Sequence, residues 1–184
     1  MTIPNIITLV RFLMVPVIIN AMLDGQMVLA LVGFVLAGIS DGVDGFIARQ
    51  FNQRSELGAY LDPLADKLLL VSVFVVLGYL AELPNWLVIA IVSRDAMIVG
   101  AVMLSAVMGN PVKMHPLFVS KANTVAQIVL AAAVLGELAI APGPAWIRAG
   151  LITLTAVLTG ASAAAYLFTW LKHMGGYGAR EDET

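Results

Sequence analysis

The chain has 184 residues, of which 60% are hydrophobic and only 12% charged. Soluble domains carry roughly 25% charged residues, so the composition excludes an ordinary soluble protein and points to an integral membrane protein of one domain. With no cysteine, a disulfide frame, a thiolate metal site and thiol catalysis are all excluded, and the net charge of −2 says little because the charges are positional.

Six apolar stretches have spanning length, roughly 20 residues each. The first is expected over 4–23 and ends at the Asp24-Gly25 turn. No basic segment precedes it and Arg11 interrupts it, so it reads as a retained segment and not as a signal peptide. The second is expected over 27–51 and the third over 58–81. Glu82-Leu83-Pro84-Asn85 breaks the pattern, with proline suited to the first turn of the fourth stretch, 84–108. Gly109-Asn110-Pro111 ends that stretch, and a longer loop leads to the fifth, 120–140. Ala141-Pro142-Gly143-Pro144 is a turn before the sixth, 145–172, and residues 173–184 are expected to form a flexible tail.

Basic residues set the orientation. Arg49 and Arg54 flank the link between stretches two and three. Lys113 and Lys121 flank the link between four and five, and Lys172 and Arg180 follow the sixth. The opposite side has only Arg148. The reading is an all-α membrane protein with six transmembrane helices and both termini cytoplasmic.

The most informative segment runs DGVDGFIARQFNQRSELGAYLDPLAD, from Asp41 to Asp66. Asp41 and Asp44 share a helix face, as do Asp62 and Asp66. The polar stretch from Asn52 to Glu56 lets the two helices turn back antiparallel, so that the carboxylates converge. Four carboxylates in apolar surroundings do not stay ionised unpaired. A hard divalent cation with oxygen ligands, Mg²⁺ or Mn²⁺, neutralises them. Four acidic ligands without His or Cys suggest two ions, a phosphoryl-transfer arrangement between helices 2 and 3 in the cytoplasmic half. The competing reading pairs the aspartates with Arg49, Lys67 and Arg94. It gives no account of Gly45 and Gly58 on the same faces, although glycines also serve helix contact in membranes.

This segment resembles the CDP-alcohol phosphatidyltransferase family, whose motif is D-x2-D-G-x2-A-R-x8-G-x3-D-x3-D. Asp41, Asp44, Gly45, Ala48, Arg49, Gly58, Asp62 and Asp66 match it in residue and spacing. The resemblance implies a CDP-linked lipid whose diphosphate lies on the metals, an acceptor hydroxyl that attacks the phosphorus bonded to diacylglycerol, and CMP as leaving group. It implies Asp41, Asp44 and Asp62 as metal ligands, with Asp66 as general base and also at the second metal. Gly45, Ala48, Arg49 and Gly58 resemble the nucleotide-contacting positions. The opening Ile3-Pro4-Asn5-Ile6-Ile7-Thr8-Leu9-Val10-Arg11 resembles the family's I-P-N-x2-T-x2-R. Asn5, Thr8 and Arg11 then either reach the nucleotide or diphosphate, or form an interfacial cap with a snorkelling arginine.

Beyond the motif, Ile91-Val92-Ser93-Arg94-Asp95 and Ser120-Lys121-Ala122-Asn123-Thr124-Val125-Ala126-Gln127 resemble the CMP-forming cardiolipin synthases of the mitochondrial type. That implies phosphatidylglycerol as acceptor, with its phosphodiester on Arg94 and Lys121. Arg94 beside Asp95 is also readable as a buried pair, and Lys121 as a positive-inside anchor. The alternative acceptor is glycerol 3-phosphate. A cation transporter is a more distant alternative, disfavoured because no internal repeat is visible. The expected setting is the bacterial cytoplasmic membrane, with the site facing the cytoplasm and no nucleic-acid partner. The family's architecture implies a homodimer through stretches three and four, where Ala96 and Gly100 permit close helix packing.

Overall fold

The computed structural model describes the backbone of residues 3–50, 56–107 and 118–181, and the side chains of 8–40, 67–101, 103 and 118–171. Six helices account for almost all of the described residues: α1 Ile3–Leu23, α2 Met27–Gln50, α3 Glu56–Tyr79, α4 Asn85–Val107, α5 Phe118–Ala139 and α6 Ala145–Glu181. The first five begin and end within one turn of the stretches read from the sequence. The sixth runs past the end expected at 172 and continues as helix to Glu181. The glycines at 175, 176 and 178 lower helix propensity. No proline follows Lys172, however, and a helix already nucleated extends at little cost.

Short turns fold neighbouring helices back on one another. At the end of α1, Gly25 takes φ +75°, and the Gln26 N–H donates to the Ala21 carbonyl at 2.8 Å. This is a Schellman closure, which needs a left-handed residue just past the helix. Ala81 does the same after α3, at φ 58°, with the Glu82 N–H donating to the Leu77 carbonyl at 2.9 Å. Along the hairpin, Gly33 lets α2 approach α1: a Cβ there would lie 2.8 Å from Ile18 Cγ1.

α1 packs on α2 and α3, α2 on α5, α3 on α4 and α5, and α6 on α4 and α5. One apolar core joins them, with Ile18, Met22, Phe34, Phe74, Leu87 and Leu130 among its buried members. The outside is equally apolar. Leu13, Val17, Val32, Ile39, Ile89, Val125, Val157 and Phe168 are all exposed, while Arg11, Arg94, Asp95, Asn123 and Gln127 are buried. A water-soluble protein shows the reverse, so this is the surface that a lipid environment favours. Among the described residues, α5 and the Ala145–Leu171 part of α6 are long and apolar enough to cross a membrane. Shorter apolar helical runs lie at Thr8–Leu23, Met27–Ser40 and Lys67–Tyr79.

At the end of the bundle that carries the α3–α4 and α5–α6 turns, Arg148 of α6 ties the two links together. Its Nη2 donates to Glu82 Oε2 at 2.7 Å and also to the Glu82 carbonyl, and its Nη1 donates to Glu137 Oε2 at 3.3 Å.

A polar layer across the six helices

The helix bounds fix the level at which each polar residue sits. Asp44 and Asp62 are each about 9 Å from the helix ends that face the 51–55 link, at ~1.5 Å per residue. Asp41 and Asp66 are each about 14–15 Å from the same ends. The two pairs therefore lie at matching distances along α2 and α3 from the ends on either side of residues 51–55. In the α1–α2 hairpin, Thr8 lies about 22 Å from the turn and Asp41 about 21 Å, so they too are level. Arg11 is one turn closer to the Asp24–Gly25 turn.

Thr8 and Arg11 are each only 1% exposed, and both are held by interactions within the protein. An interfacial snorkelling arginine would have its guanidinium at the surface; this one is buried inside the bundle. Asn5 lies on α1, and its side chain is outside the described residues. So are the side chains of Asp41, Asp44, Gly45, Ala48 and Arg49 on α2, and of Gly58, Asp62 and Asp66 on α3. The expected convergence of the aspartates on a common ion cluster therefore lies outside the described residues. Among the described side chains, no group of three or more His, Cys, Asp or Glu is placed to hold a metal.

The next residue after Asp66 begins the described part of the layer. Lys67 Nζ donates to both oxygens of Asp95, at 2.7 and 2.8 Å. Arg94 Nη1 donates to Asp95 Oδ1 at 2.6 Å. Arg94 Nη2 donates to Ser120 Oγ at 2.6 Å, and Nε to Ser162 Oγ at 3.1 Å. The Nη2 group also reaches Ser162 Oγ, and the guanidinium lies over the Tyr166 ring, 5.5 Å from its centroid. Arg94 is 3% exposed. A planar fork with five donors can bind several acceptors at once without turning. Here it fastens α4 to α5 and α6, and through Asp95 to α3.

One turn further along α5, Thr159 Oγ1 donates to Asn123 Oδ1 at 2.9 Å. Asn123 Nδ2, both amide atoms of Gln127 and Thr155 Oγ1 are buried without a hydrogen-bond partner among the described residues. Lys121 is exposed at the start of α5 and makes no ion pair among the described residues. The sequence reading singled out Arg94, Asp95, Lys67 and Lys121, but missed Ser162, Thr159 and Tyr166. The signal was present, because Thr155, Thr159 and Ser162 recur at the four- and three-residue spacing of one helical face.

The sequence profile of the CDP-alcohol phosphatidyltransferases matches residues 1–171. A human protein named cardiolipin synthase (CMP-forming) is 40% identical over 150 residues, covering 73% of this chain and 50% of the relative. A Drosophila melanogaster protein named probable cardiolipin synthase (CMP-forming) is 33% identical over 189 residues, covering 91% of this chain and 57% of the relative. A Bacillus subtilis CDP-diacylglycerol–glycerol-3-phosphate 3-phosphatidyltransferase is 35% identical over 147 residues, 72% of this chain and 75% of the relative. The chain thus spans about half the length of the human relative.

Proposed function

This chain belongs to the CDP-alcohol phosphatidyltransferase family, and from that premise we propose that it transfers a phosphatidyl group from CDP-diacylglycerol to phosphatidylglycerol, giving cardiolipin and CMP. What supports this reading is the match of Asp41, Asp44, Asp62 and Asp66 to the family's motif, together with the buried Thr8 and Arg11 of α1 and the Lys67–Asp95–Arg94 network that begins next to Asp66. The donor set suits two hard divalent ions, Mg²⁺ or Mn²⁺, because it offers carboxylate oxygens from two helices and no soft ligand. Asp41, Asp44, Asp62 and Asp66 would hold them. When bound, such ions neutralise a diphosphate and ease the departure of CMP.

The chain's own groups do the rest. Gly45 and Gly58 leave room for the nucleotide beside the helices, and Ala48 and Arg49 border it. Asn5, Thr8 and Arg11 reach the nucleotide or diphosphate from α1. Lys121 supplies a cation for the acceptor's phosphodiester, and Arg94 supplies what its serine and aspartate partners leave of its fork. Asp66 takes the proton of the acceptor's hydroxyl as that oxygen attacks the phosphorus bonded to diacylglycerol. The bond from that phosphorus to CMP breaks, and CMP carries off the electron pair. All six helices cross the membrane in this reading, with both termini cytoplasmic. The protein is a homodimer of the bacterial cytoplasmic membrane.

A second reading keeps the chemistry and changes the acceptor to glycerol 3-phosphate. It is favoured by the Bacillus subtilis relative, whose name states that acceptor and of which the chain covers 75%. An acceptor panel separates the two. Purified protein with CDP-diacylglycerol and Mg²⁺ or Mn²⁺ is offered phosphatidylglycerol, glycerol 3-phosphate, serine and inositol phosphate. Cardiolipin formation is expected. Turnover with glycerol 3-phosphate alone would move the assignment to the second reading.

A further inference from the structure

We propose that the groove between α5 and α6 seats one acyl chain of the acceptor, with Lys121 at its mouth holding the same lipid's phosphodiester. The word acceptor rests on the reaction proposed above. The groove itself is a feature of the fold.

A cavity of about 410 Å³ opens on the outer face of these two helices. Val125 and Val129 line it from α5, and Leu151, Leu154 and Leu158 from α6. Val125, Val129 and Leu154 remain exposed, so the groove is open sideways along its length. The helices run antiparallel, and the Thr159–Asn123 hydrogen bond sets their register. Leu158 therefore lies level with the first turns of α5, and Leu151 lies at the deep end. Lys121 is the one charged residue of the lining.

Length and charge identify the occupant. From Lys121 to Val129 the groove runs about 12 Å along α5, close to the ~15 Å of hydrocarbon in one leaflet. One end is cationic and the remainder aliphatic, which is the complement of a phosphodiester above an acyl chain. A soluble phosphate ester would use the cation and leave the aliphatic walls unused. The inward side fixes the lipid's direction. Ser120, next to Lys121, accepts from Arg94, which is joined through Asp95 to Lys67, the neighbour of Asp66. A lipid with its tail in the groove and its phosphodiester on Lys121 thus extends its headgroup toward the aspartate layer. The fold so selects a lipid acceptor over a soluble one.

The test uses the full-length protein in mixed micelles with Mn²⁺ and phosphatidylglycerols of graded chain length. Lys121→Gln is expected to raise the KM for phosphatidylglycerol about tenfold, the worth of one charge-assisted contact. Leu151→Trp fills the deep end and is expected to shift preference to shorter chains. The ratio of long- to short-chain turnover should fall about tenfold, as a few methylenes are displaced. Leu151→Ala enlarges the same end and should move preference the other way. The KM for CDP-diacylglycerol should hold in all three. Either Leu151 variant turning over with the wild-type chain-length profile would mean that the groove holds bulk lipid only, and would overturn the proposal. If the wild type uses glycerol 3-phosphate alone, the acceptor reading fails first. Native mass spectrometry of phosphatidylglycerol bound to wild type and to Leu151→Trp then decides the groove by itself: binding lost in the variant supports the site, and equal binding overturns it.

Discussion

Asp95→Ala is the most informative single perturbation of the described network. Asp95 accepts from Arg94 at 2.6 Å and from Lys67 at 2.7 and 2.8 Å. Removing it leaves Arg94, 3% exposed, without a counter-charge among the described residues. Breaking a buried pair by deleting one partner costs about 3–5 kcal/mol, mostly from the orphaned charge. Arg94 keeps Ser120 and Ser162, which places the expected loss at the lower end, about 3 kcal/mol. Lys67 adds little, because its side chain is 41% exposed and a pair of that kind contributes about 0–1 kcal/mol. Thermal unfolding in detergent, followed by the loss of the monodisperse peak, measures the effect. The double variant Arg94→Met with Asp95→Leu removes both charges and should recover most of the stability. If Arg94 also serves the acceptor, turnover stays low in that stable double variant. A single variant as stable as wild type would refute the reasoning, since it would mean that Arg94 is not confined as described.

Further outcomes follow from individual sites. Ala81→Gly should stabilise by about 1 kcal/mol, because a left-handed residue with a Cβ is strained by that order; an unchanged midpoint in thermal unfolding would contradict it. Gly33→Leu should destabilise by about 1–3 kcal/mol through overpacking against Ile18, and wild-type stability there would mean that α1 and α2 are not this close. Gln127→Met should raise stability by about 1–3 kcal/mol, since both amide atoms are buried without partners; a lower midpoint would show that something satisfies them. Arg148→Ala should cost about 1 kcal/mol or less, the partners being part-exposed. A loss of several kcal/mol would make the Glu82–Glu137 tie a main support of the fold.

The helices were legible because their apolar runs are punctuated by strong local signals. Asp24-Gly25, Pro84 and Pro142-Gly143-Pro144 each stop or start a helix by backbone chemistry that needs no tertiary partner. The end of the sixth helix was less legible, because the glycines after Lys172 suggest an earlier stop, whereas continuation to Glu181 depends on the helix before it. The spacing of the aspartates was likewise legible, since it is a property of single helices, and α2 and α3 do run through Asp41, Asp44, Asp62 and Asp66. The engagement of Arg94 was only half visible. Asp95 is its chain neighbour, but Ser120 and Ser162 stand on α5 and α6 and meet it only once the helices pack. Arg148 gives the same lesson. Counted along the chain it is a lone basic residue on its side, yet its partners Glu82 and Glu137 stand in the α3–α4 turn and near the end of α5.

The central claim is that the carboxylates of α2 and α3 act together with divalent ions on CDP-diacylglycerol. CMP release by purified wild type and Asp66→Asn, with Mg²⁺ or Mn²⁺ and phosphatidylglycerol, tests it most directly. The account predicts metal-dependent release by wild type and none by the variant, although the variant assembles and unfolds normally. Equal release by both proteins, or release by wild type that persists in chelator, would contradict it.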